Sequence, residues 1–181
     1  MPNHKPKLLL HVCCGPCATA VLERLAADYD VTPYWYNPNI QPPEEHALRL
    51  ESALKLTAEL GLSMPLEEGG EEAYTDLVRG LEAEPEGGER CLLCYEFRLR
   101  QAMQYARDHG FTHVTTTLSI SPHKDAEAIN EIGLRLAREF GLTFVAADFK
   151  QAGGFARSVE LSKRHGLYRQ KYCGCLPSLR H

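Results

Sequence analysis

The strongest constraint on the fold is a short run near the start of the chain, where Leu8-Leu9-Leu10-His11-Val12 leads directly into Cys13-Cys14-Gly15-Pro16-Cys17. A largely apolar run of about five residues, bounded by a Gly-Pro signal, predicts a strand buried on both faces. Pro16 suits the first turn of a helix, so a helix is expected to begin where the thiols stand. In open α/β sheets, ligands bind in the crevice where strands end and helices begin. Thiolates at that position take metals and electrons, not phosphate. A helix starting near Gly15 aims its amide dipoles at Cys13 and Cys14, which lowers the thiol pKa and favours the metal-binding thiolate.

Strand-like and helix-like stretches alternate through the rest of the chain. Helices are predicted over Ala18–Tyr29, Glu44–Leu60, Glu72–Leu81, from Cys91 to His109, over Asp125–Phe140 and over Phe155–His165. Strands are predicted over Val31–Tyr36, Leu62–Leu66, Phe111–Ser121 and Leu142–Ala147. Asn37 to Pro43 can continue neither a strand nor a helix. The alternation implies a single α/β domain over residues 1–181, with a mostly parallel sheet, helices on both faces and a Cys-bearing helical insertion. Right-handed crossovers then bring Cys13, the Asn37 loop, the Ser119 loop and Asp148 to one sheet edge. The insertion could drop Cys91 and Cys94 over Cys13 and Cys14.

A chain of 181 residues can bury a real core, and no stretch approaches the ~18–20 apolar residues of a membrane span. The apolar run after Lys5 and Lys7 is too short for a signal peptide, so a cytoplasmic protein is expected. Seven cysteines in that setting point to metal binding or redox chemistry, not to a disulfide framework. The net charge of −4 hides an asymmetry. Acidic residues dominate from Glu44 to Glu89, where only Arg49, Lys55 and Arg79 are basic. From Lys150 onward, Arg157, Lys163, Arg164, Arg169, Lys171 and Arg180 face the single acid Glu160. That basic C-terminal segment is a candidate polyanion footprint.

Two thiol pairs at helix starts, Cys13/Cys14 and Cys91/Cys94, form a candidate four-sulfur site for zinc or an iron–sulfur cluster. Cys91 and Cys94 share one helical face. Cys17, one turn into its helix, is an extra ligand or a packing residue. Cys173-Gly174-Cys175 can form a strained, reducible disulfide or donate to a metal. Asp148, just past a strand, is a candidate oxygen ligand or proton donor. Asn37, Asn39, Ser119, His123, Lys124 and Lys150 are candidate substrate contacts at the same edge. Tyr168 and Tyr172, interleaved with Arg169 and Lys171, suit base stacking with phosphate contact. The same thiols would also serve a metal-free thiol–disulfide oxidoreductase, or a non-catalytic zinc-stabilised RNA-binding domain.

At these residues the chain resembles the cobalamin-independent epoxyqueuosine reductase family (QueH type). The likeness rests on Leu9 to Cys17, Tyr36-Asn37-Pro38-Asn39-Ile40, Arg90-Cys91-Leu92-Leu93-Cys94, Thr116 to Pro122, Asp148-Phe149-Lys150 and Leu167 to Cys175. The resemblance implies reduction of an epoxide on a modified tRNA base to an alkene, with loss of water. It implies a 4Fe–4S cluster and a nearby single metal ion, taken as iron, held by cysteines and an aspartate. It implies a tRNA carrying epoxyqueuosine in its anticodon loop as partner, and an external electron donor. It also implies a Rossmann-like sheet related to adenine-nucleotide hydrolases (the HUP class). Cysteines stand where those relatives carry their ATP loop, so no ATP hydrolysis is expected.

Overall fold

The computed structural model describes residues 4–180; the side chain of Arg180, counted above in the basic segment, lies outside the described residues. Four parallel strands form one sheet in the order β2-β1-β3-β4, with β1 at Lys7–His11, β2 at Asp30–Tyr34, β3 at His113–Thr116 and β4 at Thr143–Phe144. The helices are α1 (Gly15–Leu25), α2 (Pro43–Glu59), α3 (Glu71–Leu77), α4 (Glu89–Asp108), α5 (Ala126–Phe140) and α6 (Gly154–Arg164).

The apolar run resolves into two alternating sets. Leu8, Leu10 and Val12 pack with α1, α2 and α6 on one face, while Leu9 packs with α4 and α5 on the other. A period of two with both phases apolar is what a central parallel strand requires. α1 and α2 nearly touch at Gly15, where a Cβ would stand 2.5 Å from Ser52 Oγ and 2.8 Å from its carbonyl. Only glycine admits that approach, and it brings the thiol turn against α2.

Three expectations are corrected. Leu62–Leu66 is not a strand: it makes one bridge, Trp35 to Leu66, with Trp35 donating to the Pro65 carbonyl at 3.0 Å. Pro65 has no N–H with which to extend a ladder. The strand expected over Phe111–Ser121 ends at Thr116, and Leu118–Ile120 turns as a short 3₁₀ helix. There the Thr116 hydroxyl accepts from the Leu118 amide at 3.2 Å, giving that amide a partner outside the sheet. The strand expected over Leu142–Ala147 pairs only through Thr143–Phe144, and the Ala147 amide turns to the Asn130 side chain. The first helix spans Gly15–Leu25, so the thiols stand at its start as expected, although it ends short of Tyr29. Among the described residues, no helix is long and apolar enough to cross a membrane.

Candidate metal centre

At the carboxyl end of β1 the chain turns into α1 through Cys14, which caps the helix: its Sγ accepts the Cys17 amide at 3.3 Å. That turn gathers Cys13, Cys14 and Cys17, whose sulfurs all lie within 4.8 Å of one another. Thr117, from the end of β3, donates its hydroxyl to Cys13 Sγ at 3.2 Å and accepts the Cys13 amide at 3.1 Å. Gln170 reaches in from the C-terminal segment, donating to Cys14 Sγ at 3.2 Å and Cys17 Sγ at 3.8 Å.

The three thiols hydrogen-bond one another and differ in acidity. Hydrogen bonds from the Cys14 and Cys17 thiols hold Cys13 well below the ordinary thiol range, against the cost of burial, and Lys124 and Thr117 add to the effect. Burial, then the bond to Cys13, pushes Cys14 up to about 12. Cys17, donating to both neighbours, is raised well above the ordinary value. Among the three, the thiolate is therefore favoured at Cys13, with the other two as donors.

Cys91 and Cys94 open α4, and Cys173 and Cys175 follow in the C-terminal segment; these four make up the second set of cysteines, and the C-terminal pair adds to the upward push on both α4 thiols. Both thiols of the α4 pair are raised, chiefly by burial. Cys91 Sγ accepts only the Gly87 amide, at 3.3 Å. All seven cysteines are free thiols. Cys13 and Cys173 line one small enclosed space together with Arg49, Arg98, Lys124 and Gln170. The two groups thus meet through Cys173 and the cations around it. Asp148 stands apart from the triad, ion-paired with Lys150 Nζ at 3.2 Å.

The C-terminal segment is clamped. Arg49, buried in α2, donates to the Cys173 carbonyl at 2.7 Å and the Tyr172 carbonyl at 2.8 Å. Its Nε bonds Glu45 at 2.8 Å, and Glu45 accepts the Tyr168 hydroxyl at 2.8 Å. The Tyr172 ring lies under the Arg49 guanidinium, 5.0 Å to its centre, and its hydroxyl donates to the Gln41 carbonyl. Gly174 adopts φ +145°, and a Cβ there would stand 3.1 Å from Arg49 Nη1.

A cleft of about 360 Å³ opens beside Cys17 and Cys173. His123, Lys124, Phe155, Arg169, Lys171 and Tyr172 line it. Arg169 is steadied by Ser162 Oγ at 2.8 Å. Of the remaining expected contacts, Asn37, Ser119 and Lys150 bond within the protein. Asn37 donates to the Val12 carbonyl at 2.8 Å and accepts from Arg98 at 3.2 Å. Ser119 Oγ accepts the Phe149 amide at 3.2 Å, and Lys150 donates to the Ser119 carbonyl at 2.9 Å. Asn39 is buried with its side-chain oxygen unpartnered. Sequence reasoning missed Arg49, Arg98, Thr117 and Gln170. Arg98 had one readable signal: it lies four residues after Cys94, on the same helical face.

A sequence profile of the family described as "Epoxyqueuosine reductase QueH" matches residues 8–181. The chain belongs to this QueH family. Membership makes it an oxidoreductase. Epoxyqueuosine reductase QueH of Streptococcus pyogenes serotype M1 is 38% identical over 178 residues, covering 95% of this chain and 70% of that protein. The QueH of Haemophilus influenzae is 38% identical over 182 residues, covering 99% of this chain and 74% of the relative. Among solved structures, the chain is similar to the U34-tRNA thiolase NcsA from Methanococcus maripaludis, solved with its 4Fe–4S cluster. The TM-score is 0.62 at 11% identity, covering 97% of this chain and 62% of the thiolase. That likeness is one of fold.

Proposed function

We propose that this protein reduces the epoxide of epoxyqueuosine, carried in a tRNA anticodon loop, to the alkene of queuosine. One observation carries the reading: the Cys13, Cys14 and Cys17 sulfurs converge within 4.8 Å of one another beside a cation-lined cleft. The family supplies the substrate. The reaction takes two electrons and two protons per epoxide and releases its oxygen as water, with the electrons coming from an external donor.

The donor set fits a thiolate-bound centre. Sulfurs at this spacing can share a metal with bonds of ~2.3 Å. Cys13 already favours the thiolate, and Arg98 and Lys124 offset added negative charge. Buried Arg98 Nη2 has no protein acceptor, leaving an N–H for a ligand. Cys13, Cys14 and Cys17 would hold one part of the centre, and Cys91 and Cys94 the other. Cys173 and Cys175 would stand beside them as redox or ligating thiols. Asp148 would serve the single ion by giving up Lys150. When bound, a 4Fe–4S cluster supplies single electrons and a lone metal ion supplies Lewis-acid polarisation of the epoxide oxygen.

The chain's own residues do the rest. Arg169, Lys171 and His123 hold backbone phosphate at the cleft mouth while the target base is extruded inward. Lys124, between the cleft and the sulfurs, orients the epoxide oxygen. Tyr168 and Tyr172 hold the sulfur-bearing segment through Glu45 and Gln41.

Anaerobically purified protein is expected to contain iron and acid-labile sulfide and to convert epoxyqueuosine-tRNA. Cys13→Ala should lose iron and lower turnover by more than about 100-fold, beyond what loss of an outer-shell partner costs. Turnover by metal-free protein, or a zinc-only protein without turnover, would overturn the reading.

A further inference from the structure

Among the described residues, no carboxylate meets the positive charge that Arg98 carries into the protein interior. Its residue is 2% exposed. Nη1 donates to Asn37 Oδ1 at 3.2 Å and Nε to the Cys94 carbonyl at 3.5 Å, while Nη2 is buried without a protein acceptor. Two other buried arginines are answered differently. Arg49 is paired with Glu45; Arg90 has unpartnered Nε and Nη2 of its own, but its Nη1 donates to the carbonyls of Leu81, Glu82 and Glu84, away from the space that Cys13 and Cys173 line. Burial works against the Arg98 cation; among the described residues, the ionisable groups whose deprotonation would favour it are chiefly sulfurs, Cys94 and then Cys173 and Cys13, with Tyr74 after them. Arg98 lines the small enclosed space between Cys13 and Cys173. A buried charge without a counter-charge is strongly destabilising, and deprotonated sulfurs beside this space would supply one.

We infer that Arg98 is the fixed counter-ion of the sulfur centre, a positioning residue whose guanidinium joins the two cysteine groups into one electrostatic unit. Cys13 belongs to the first group, and Cys94 and Cys173 to the second. The spare Nη2–H is the donor available to a thiolate or sulfide. The inference rests on the reading of these cysteines as holders of an iron–sulfur centre. A fixed positive charge favours the more negative, reduced form of such a centre, so Arg98 raises its midpoint potential.

The test uses holoprotein loaded with iron and sulfide, as wild type, Arg98→Met and Arg98→Lys, with the midpoint potential read by optical and EPR redox titration. At the wild-type midpoint, the reduced-to-oxidised ratio should fall about tenfold or more in Arg98→Met, equal to about 59 mV for one electron, and less than about threefold in Arg98→Lys. An unchanged potential in Arg98→Met overturns the inference. Should Arg98→Met take up no iron, uptake by Arg98→Lys at wild-type stoichiometry supports the charge role. Failure of both variants to load, or to fold by circular dichroism, assigns Arg98 to packing and overturns it. Wild type that binds neither iron nor sulfide is a separate result: it removes the sulfur-centre reading itself.

Discussion

Cys13, Cys14 and Cys17 come from five consecutive residues, whereas Cys91, Cys94, Cys173 and Cys175 come from two segments far apart in the chain. The first group is set by a local turn. One helix cap, one strand-end hydroxyl and one glutamine amide bond its sulfurs, and the result is a Cys13 thiol held low. The second group has little of this. Burial raises Cys91 and Cys94, and the other two sulfurs sit on a C-terminal segment whose backbone Arg49 holds. One group is gathered by a local turn; half of the other sits on a segment held by tertiary hydrogen bonds from Arg49.

The harshest way to break this contrast is Arg49→Ala. It leaves Glu45 buried without its partner and the carbonyls of Tyr172 and Cys173 without their donor. Removing one member of a buried pair costs about 3–5 kcal/mol, which urea unfolding should register. Thiol labelling should then rise sharply at Cys175, which is buried in the intact protein, and stay unchanged at Cys14. Equal labelling of both groups would erase the distinction.

Acid should strain the strand beneath the first group. Burial, then the Arg98 charge, lowers the pKa of His11 to about 4. The neutral ring bonds Thr116 Oγ1 at 2.9 Å, and its other nitrogen lies 3.1 Å from the Tyr36 carbonyl and from Asn37 Oδ1. The unfolded chain takes up this proton near pH 6.5, the folded protein only near pH 4. Between those values the unfolded state binds more protons, so stability falls as pH drops, by about 3 kcal/mol in all. The urea midpoint of metal-free protein should show this fall, and His11→Gln should lack it. An identical pH profile in both proteins would remove His11 from the account.

The mildest change sharpens the contrast. Thr117→Val removes the hydroxyl shared by the Cys13 sulfur and amide. Ferrous-iron affinity, measured against a chromophoric chelator, should weaken about tenfold, the lower end of the range for an outer-shell partner. Unaltered affinity would show that the triad does not depend on that bond.

The legibility of the chain follows the same division. β1 was readable because both of its faces are apolar, and the thiol turn because Gly-Pro follows it. Leu62–Leu66 has strand-like composition, but Pro65 denies it a ladder. Cys17 was ambiguous in sequence because its place depends on how Cys14 folds back over the helix start, a matter of three-dimensional cap geometry. The anchoring of Cys173 against α2 was hidden because Arg49, which bonds its carbonyl, looks in sequence like one more charge on an amphipathic helix. Tyr168 and Tyr172 suggested stacking platforms beside basic residues. Their hydroxyls are bonded to Glu45 and Gln41, and Arg49 already covers the Tyr172 ring.

The clamp also orders events in time. Cys173 and Cys175 leave the ribosome after the other five cysteines, when the sheet, α2 and Arg49 have already emerged. Until the final segment is seated, Cys14 and Cys17 lack the Gln170 amide that bonds their sulfurs, so the earliest cysteines to be made complete their hydrogen bonding only after nearly the whole chain has been synthesised.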